Sequence, residues 1–128
     1  MAALCILQGG TMKLIIAEKP SVALSIAKVV GASSRKDGYI QGNGYMVSWC
    51  VGHLIQMASP DKYDEKYAKW NLDDLPILPK DFKYEVSKNT KKQYGVLKKL
   101  LHLKEVDTVI NACDAGREGE LIFRLVYE

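Results

Sequence analysis

Two short apolar runs, each ending near an acid and each followed by an amphipathic helix pattern, most constrain how this chain can fold. The first, "MKLIIAE" at 12–18, is brief, β-branched and stopped by charge, the mark of a buried strand. Pro20 then occupies the position a helix tolerates best, its first turn. Val22, Ile26 and Val30 recur every fourth residue with Ala23 and Ala27 beside them, predicting a helix with one inward stripe, and Gly31 offers its stop. The second run, "VDTVINAC" at 106–113, leads into Asp114, Arg117, Glu118 and Glu120. There Leu121, Ile122, Leu125 and Val126 predict another inward-facing helix.

Between these units the period changes. Asn43-Gly44 is a hairpin turn signal, and the alternation of Tyr45, Val47, Trp49 and Val51 after it predicts a half-buried strand. From Ser59 to Pro79 the chain is polar, aromatic and broken by Pro60, Pro76 and Pro79, which predicts a long irregular excursion. "FKYEVSK" alternates again as a strand. Thr90 and Gln93 have the spacing of a capping box for a helix whose inner face carries Tyr94, Leu97, Leu100 and Leu101. Lys91, Lys92, Lys98, Lys99 and Lys104 crowd the opposite face, read as solvated surface in preference to a phosphate-binding stripe. Strand, helix, β insertion, helix, strand and helix in this order imply an α/β fold: a mostly parallel sheet with helices on both faces and a β-hairpin insertion.

Composition sets outer limits. A chain of 128 residues, 48% hydrophobic and 26% charged, has the length and apolar content of one ordinary domain. Its net charge of +3 permits a nucleic-acid partner without demanding one. Three cysteines form no CxxC pair, and Cys50 with His53 supplies only two ligands, so neither a disulfide framework nor a zinc site is indicated. That pattern fits a reducing cytoplasm. Residues 1–11 are read as an extension or remnant preceding the working domain at 12–128, too short for a secretory signal, and no apolar run reaches a membrane span of roughly 18 residues. Without a GxxxxGK[ST] loop, ATP hydrolysis is not indicated.

In parallel sheets, chemistry collects beyond the carboxyl ends of the strands, where Glu18 and Asp114 both lie. If their strands are neighbours, the two carboxylates share an edge, and Glu118, one helical turn further on, can swing back to it. Three hard oxygen donors suit Mg2+; without a cation they would repel one another. Lys19 and Arg117 flank them and would meet a phosphate. Taken singly, Asp114 is an ordinary helix cap, and Glu118 and Glu120 complement a helix dipole. Spacing alone leaves both readings open.

"IIAEKPSVALSIA", followed about a hundred residues later by "DAGREGELIFR", resembles the Toprim domain that opens bacterial type IA DNA topoisomerases, most nearly the topoisomerase III branch. "VSWCVGHL" is similar to the family segment that carries Gly-His-Leu after a hairpin strand. The resemblance covers everything from Met12 onward and implies a Rossmann-like Toprim fold, Mg2+ as cofactor, and single-stranded segments of duplex or catenated DNA as partner. It implies that Glu18 lies near the scissile phosphate and that Lys19 stabilises transition-state charge. It further implies that Asp114 and Glu118 are metal ligands beside Glu18, that Arg117 positions DNA, and that His53 lies near the cleavage site. Glu120 is the weaker ligand candidate and braces the helix.

Gly116 stands where the family's DxDxE motif has its second aspartate, which implies weaker binding of a single ion with more waters, and an eased turn. In the family a tyrosine of a later domain attacks the DNA, so none of the seven tyrosines here is expected to be the nucleophile. The chain is accordingly expected to be truncated at its C-terminal end, to work with the remaining domains of a cytoplasmic enzyme and no membrane, and to lack relaxation activity alone. A Toprim nuclease or primase, and a non-catalytic nucleotide- or DNA-binding module, are the rival readings.

Overall fold

The computed structural model describes residues 11–128; the expectation for the opening extension falls, apart from Thr11, outside them. Strand β1 (Met12–Ala17) leads into helix α1 (Pro20–Val30), whose first turn contains Pro20. Gly31 ends the helix in the left-handed conformation at φ 80°, and Ala32 N–H closes back on Ala27 O at 2.9 Å. Three strands follow: β2 (Ser34–Lys36), β3 (Tyr39–Gly42) and β4 (Tyr45–Trp49). Asn43 at φ 52° and Gly44 at φ 79° make the two-residue turn between β3 and β4, as their sequence predicts.

Past β4, strand β5 (Ile55–Met57) and strand β6 (Tyr84–Val86) pair as a separate two-stranded sheet and bracket the irregular excursion. Single 3-10 turns at Pro60–Lys62, Glu65–Ala68 and Leu72–Asp74 punctuate it. Helix α2 (Lys91–Leu101), strand β7 (Val106–Ala112) and helix α3 (Arg117–Tyr127) complete the chain. No helix among the described residues is long and apolar enough to cross a membrane.

The main sheet has the order β2-β3-β4-β1-β7. Its centre is parallel: β1 pairs with β4 on one side and β7 on the other, whereas β2, β3 and β4 form an antiparallel meander. The hairpin is thus part of the main sheet, with β4 seated directly beside β1. Helices cover both faces. Leu14 and Ile16 of β1 face α2 and α3, packing with Leu97, Leu100, Ile122, Phe123 and Val126. Ile15 and Ala17 point the other way, to Ala23 and Ala27 of α1, Ile40 and Val47. A strand covered on both sides has no polar face, which explains the uninterrupted apolar run of "LIIA".

Several local expectations are corrected. Strand β4 is not half-buried: Met46, Val47 and Ser48 are all buried, because helices lie over both of its faces, and Val51 falls beyond its end. Ser48 is tolerated there because its hydroxyl donates to Gly38 O at 2.8 Å and accepts from Gln93 Nε2 at 3.2 Å. The same amide donates to Trp49 O at 2.8 Å and Gly38 O at 3.1 Å, so Gln93 does not form a capping box with Thr90. The Thr90 hydroxyl donates instead to Leu54 O and Ser87 O, both at 3.2 Å. In α1 the small residues Ala23 and Ala27 are the buried ones, with Val22, Ile26 and Val30 half-buried beside them. The α2 lysines are exposed, as expected, and Lys92 pairs with Asp37 at 3.3 Å in full view of solvent.

Helix α3 is rotated from its expected face. Phe123 is buried and Leu121 is 44% exposed, so the inner stripe is Gly119, Ile122, Phe123 and Val126. Gly119 sets this rotation. A Cβ at that position would stand 2.1 Å from the Asp114 carbonyl oxygen and 2.9 Å from two further Asp114 backbone atoms, so the helix rests directly on the turn. Gly119→Ala is expected to destabilise the fold by about 3 kcal/mol, the upper range for overpacking. Gly95, in α2 with nothing within 4 Å of its missing Cβ, is the contrasting case. There Gly95→Ala is expected to stabilise by about 0.5–1 kcal/mol through helix propensity alone. Urea unfolding of the two variants checks both signs.

Candidate active site at the strand ends

The parallel pairing of β1 and β7 puts Ala17 opposite Ala112, so the chain leaves both strands at the same level. Glu18 and Asp114 follow within two residues of those ends, and the neighbouring-strand arrangement expected from the sequence is met. Glu18 Oε2 accepts the Asp114 backbone N–H at 3.3 Å, a direct link between segments 96 positions apart. Asp114 O in turn accepts Gly116 N–H at 2.9 Å, and Glu120 N–H donates to Gly116 O at 3.0 Å as the helix begins. Gly116 is the residue before α3, and no side chain caps that helix end, so Asp114 is not a helix cap. Gly116 lies at φ −171°, ordinary extended backbone with open space around it, so the turn does not require a glycine there.

Glu118 lies in the first turn of α3 and its carboxylate contacts His53 Nε2. Both side chains are well exposed, and His53 is brought there by the loop after β4, whose Gly52 takes φ 68°. Among the described residues, no three His, Cys, Asp or Glu side chains form a ready-made metal cage. Glu18 and Asp114 share the edge, while Glu118 is turned aside onto His53. The donor chemistry suits a hard cation nonetheless: the three acids offer oxygen alone near one sheet edge, and the exposure of Asp114 and Glu118 leaves room for the waters Mg2+ retains.

Lys19 and Arg117 are exposed and, among the described residues, form no ion pair. Glu120 is different. One of its oxygens accepts Arg124 Nε at 2.7 Å and the other accepts Asn111 Nδ2 at 3.1 Å, which is the bracing role expected of it. The contact with Glu120 holds the Arg124 guanidinium above its ordinary pKa.

Three features of the site escaped the sequence reading. Asn111 reads in the sequence as an ordinary strand residue, though an amide near a strand end is a local signal for side-chain bonding to the turn. Gly119 carries a signal of its own, since a glycine between two acids inside a helix start suggests close backbone approach. The third is a thiol pair. Cys50 and Cys113 follow β4 and β7 on either side of β1; Cys50 N–H bonds to Ala17 O at 2.8 Å, and Cys113 Sγ approaches Ile16 O at 3.8 Å. The neighbouring Cys113 thiol and then burial push the Cys50 thiol far up, while Cys50 beside it lowers Cys113. Cys50 is a fully buried packing residue.

Comparison with known proteins agrees with this geometry. The Toprim domain family model matches residues 13–128. DNA topoisomerase 3 of Bacillus thuringiensis (strain Al Hakam) is 49% identical over 114 residues, covering 89% of this chain and 16% of the relative. The enzymes of that name from Shouchella clausii (strain KSM-K16) and Staphylococcus epidermidis (strain ATCC 12228 / FDA PCI 1200) are each 46% identical, over 116 and 115 residues, again 16% of their lengths. The chain therefore spans about a sixth of the curated relatives it matches. With the sheet order, the acids at the strand ends and these matches in agreement, the chain belongs to the Toprim domain family.

Proposed function

We propose that this chain is the Mg2+-binding Toprim part of a type IA, topoisomerase III-like DNA topoisomerase. Such an enzyme relaxes or decatenates DNA by transient single-strand cleavage through a 5′-phosphotyrosine, with strand passage and no ATP. The observation that carries the reading is the Glu18 to Asp114 N–H bond, which brings the Glu18 carboxylate to the backbone of Asp114 at one open edge near Lys19 and Arg117 in the chain. Such a pairing of carboxylates with unengaged cations suits a phosphodiester better than a neutral ligand.

Glu18 and Asp114 would hold the ion, and Glu118 would join them on leaving His53. Bound Mg2+ would supply charge neutralisation for the carboxylates and the DNA phosphate. Lys19 and Arg117 would bind phosphate oxygens, Lys19 stabilising negative charge that grows on the reacting phosphate and Arg117 orienting the strand through its planar fork. His53 would lie beside the same phosphate. The attacking tyrosine and the remaining domains would come from elsewhere in a longer protein, and free thiols at Cys50 and Cys113 support a cytoplasmic setting.

The relatives, all named DNA topoisomerase 3, favour this reading over a Toprim nuclease or primase. The uncapped start of α3 counts against acids that serve only as caps.

Two outcomes follow. In an Mg2+ titration of the chain, Glu18→Ala and Asp114→Ala are each expected to weaken binding at least about tenfold while circular dichroism stays native. Equal affinity in all three proteins would refute the metal reading. The purified chain is expected not to relax supercoiled plasmid with or without Mg2+, and gel mobility of the plasmid checks this.

A further inference from the structure

Asn111 is the penultimate residue of β7, paired with Ile16 of β1 and therefore anchored to the sheet. Its side chain leaves the strand and makes two bonds in opposite senses. Oδ1 accepts the Cys113 N–H at 3.0 Å, and Nδ2 donates to Glu120 Oε2 at 3.1 Å. Cys113 immediately precedes Asp114, and Glu120 lies two residues beyond Glu118. One planar amide thus ties the turn bearing Asp114 to the helical turn bearing Glu118. Arg124 holds the second oxygen of Glu120 at 2.7 Å, so both oxygens are engaged within the first two turns of α3.

We propose that Asn111 is a positioning residue for the Mg2+ site: through Cys113 N–H and Glu120 it sets the spacing of Asp114 and Glu118. The same clamp withholds Glu120 from the ion. This rests on the metal reading above. The chemistry at position 111 is specific, because the clamp needs a donor and an acceptor on one short side chain. Aspartate would accept from Cys113 N–H but repel Glu120, and alanine would do neither. The side chains of Asn111, Glu120 and Arg124 are exposed, so these contacts add little to fold stability. Their effect lies in orientation, as expected of groups that support metal ligands from behind. Orientation matters more here because Gly116 leaves one oxygen donor fewer on this turn.

The test is an Mg2+ titration of the 128-residue chain followed by amide chemical shifts, with thermal unfolding measured in parallel. Asn111→Ala is expected to raise the Mg2+ dissociation constant about tenfold with an unfolding midpoint close to that of the parent. In the double variant N111D/E120Q, donor and acceptor exchange places at unchanged total charge, and affinity is expected to return to within about twofold of the parent. Unchanged affinity in Asn111→Ala overturns the proposal, as does a folded double variant that stays as weak as Asn111→Ala. Should Asn111→Ala fail to fold, the comparison of N111D with N111D/E120Q decides by the same criterion. If the parent chain shows no Mg2+ shifts that Glu18→Ala and Asp114→Ala abolish, the metal reading itself fails, an outcome distinct from a metal-binding chain indifferent to Asn111.

Discussion

The parallel ladder that seats β1 between β4 and β7 is the constraint on which the rest of the structure depends. Strand β1 is buried on both faces, so it cannot slip by one residue against its neighbours without turning Leu14 and Ile16 away from their core and Ile15 and Ala17 away from theirs. The register that results, Ala17 opposite both Trp49 and Ala112, ends three strands at one level. Glu18, Cys50 and Cys113 leave the sheet side by side, and Asp114 follows one residue later. The acids meet because apolar residues below them have no other way to pack.

Helix α3 converts that register into a site. It starts on the Asp114 backbone, with Gly119 against the carbonyl, and its inner face is held by Ile122, Phe123 and Val126. The helix cannot move outward without exposing this stripe, nor inward past the carbonyl. Its first turn therefore stands at a set distance from the strand end, with Glu118 and Glu120 on it. The two acids then part. Glu120 is bound by Asn111 and Arg124, while Glu118, among the described residues, bonds to His53 from the loop after β4. An acid held by one exposed imidazole is more easily redirected to a cation than one held from two sides.

Much of the fold was legible because its signals are local. The run "LIIA", Pro20, Gly31 and Asn43-Gly44 each dictate a conformation through their own dihedrals or burial, and each element stands where those residues place it. Misreadings arose where a side chain had a choice of partners. Gln93 has the spacing of a capping box but finds three better acceptors, two at the end of β4 and one in the turn before β3, contributed by residues more than 40 positions away. Leu121 and Phe123 are equally apolar, and only the contact of Gly119 with Asp114 determines which of them faces inward.

The amino-acid sequence by itself determined the order of strands and helices, the family, and the residue types at the edge: oxygen donors with two cations beside them. Those properties are carried by near neighbours in the chain and by composition. Tertiary structure alone decided which acids meet. Glu18 reaches the Asp114 amide across 96 positions, Glu118 is held by His53 across 65, and Glu120 is engaged from behind. A carboxylate is equally able to bind an amide, an imidazole, a guanidinium or a metal ion. Its partner is set by what the packed sheet brings within about 3 Å of it, a distance that no spacing along the chain encodes.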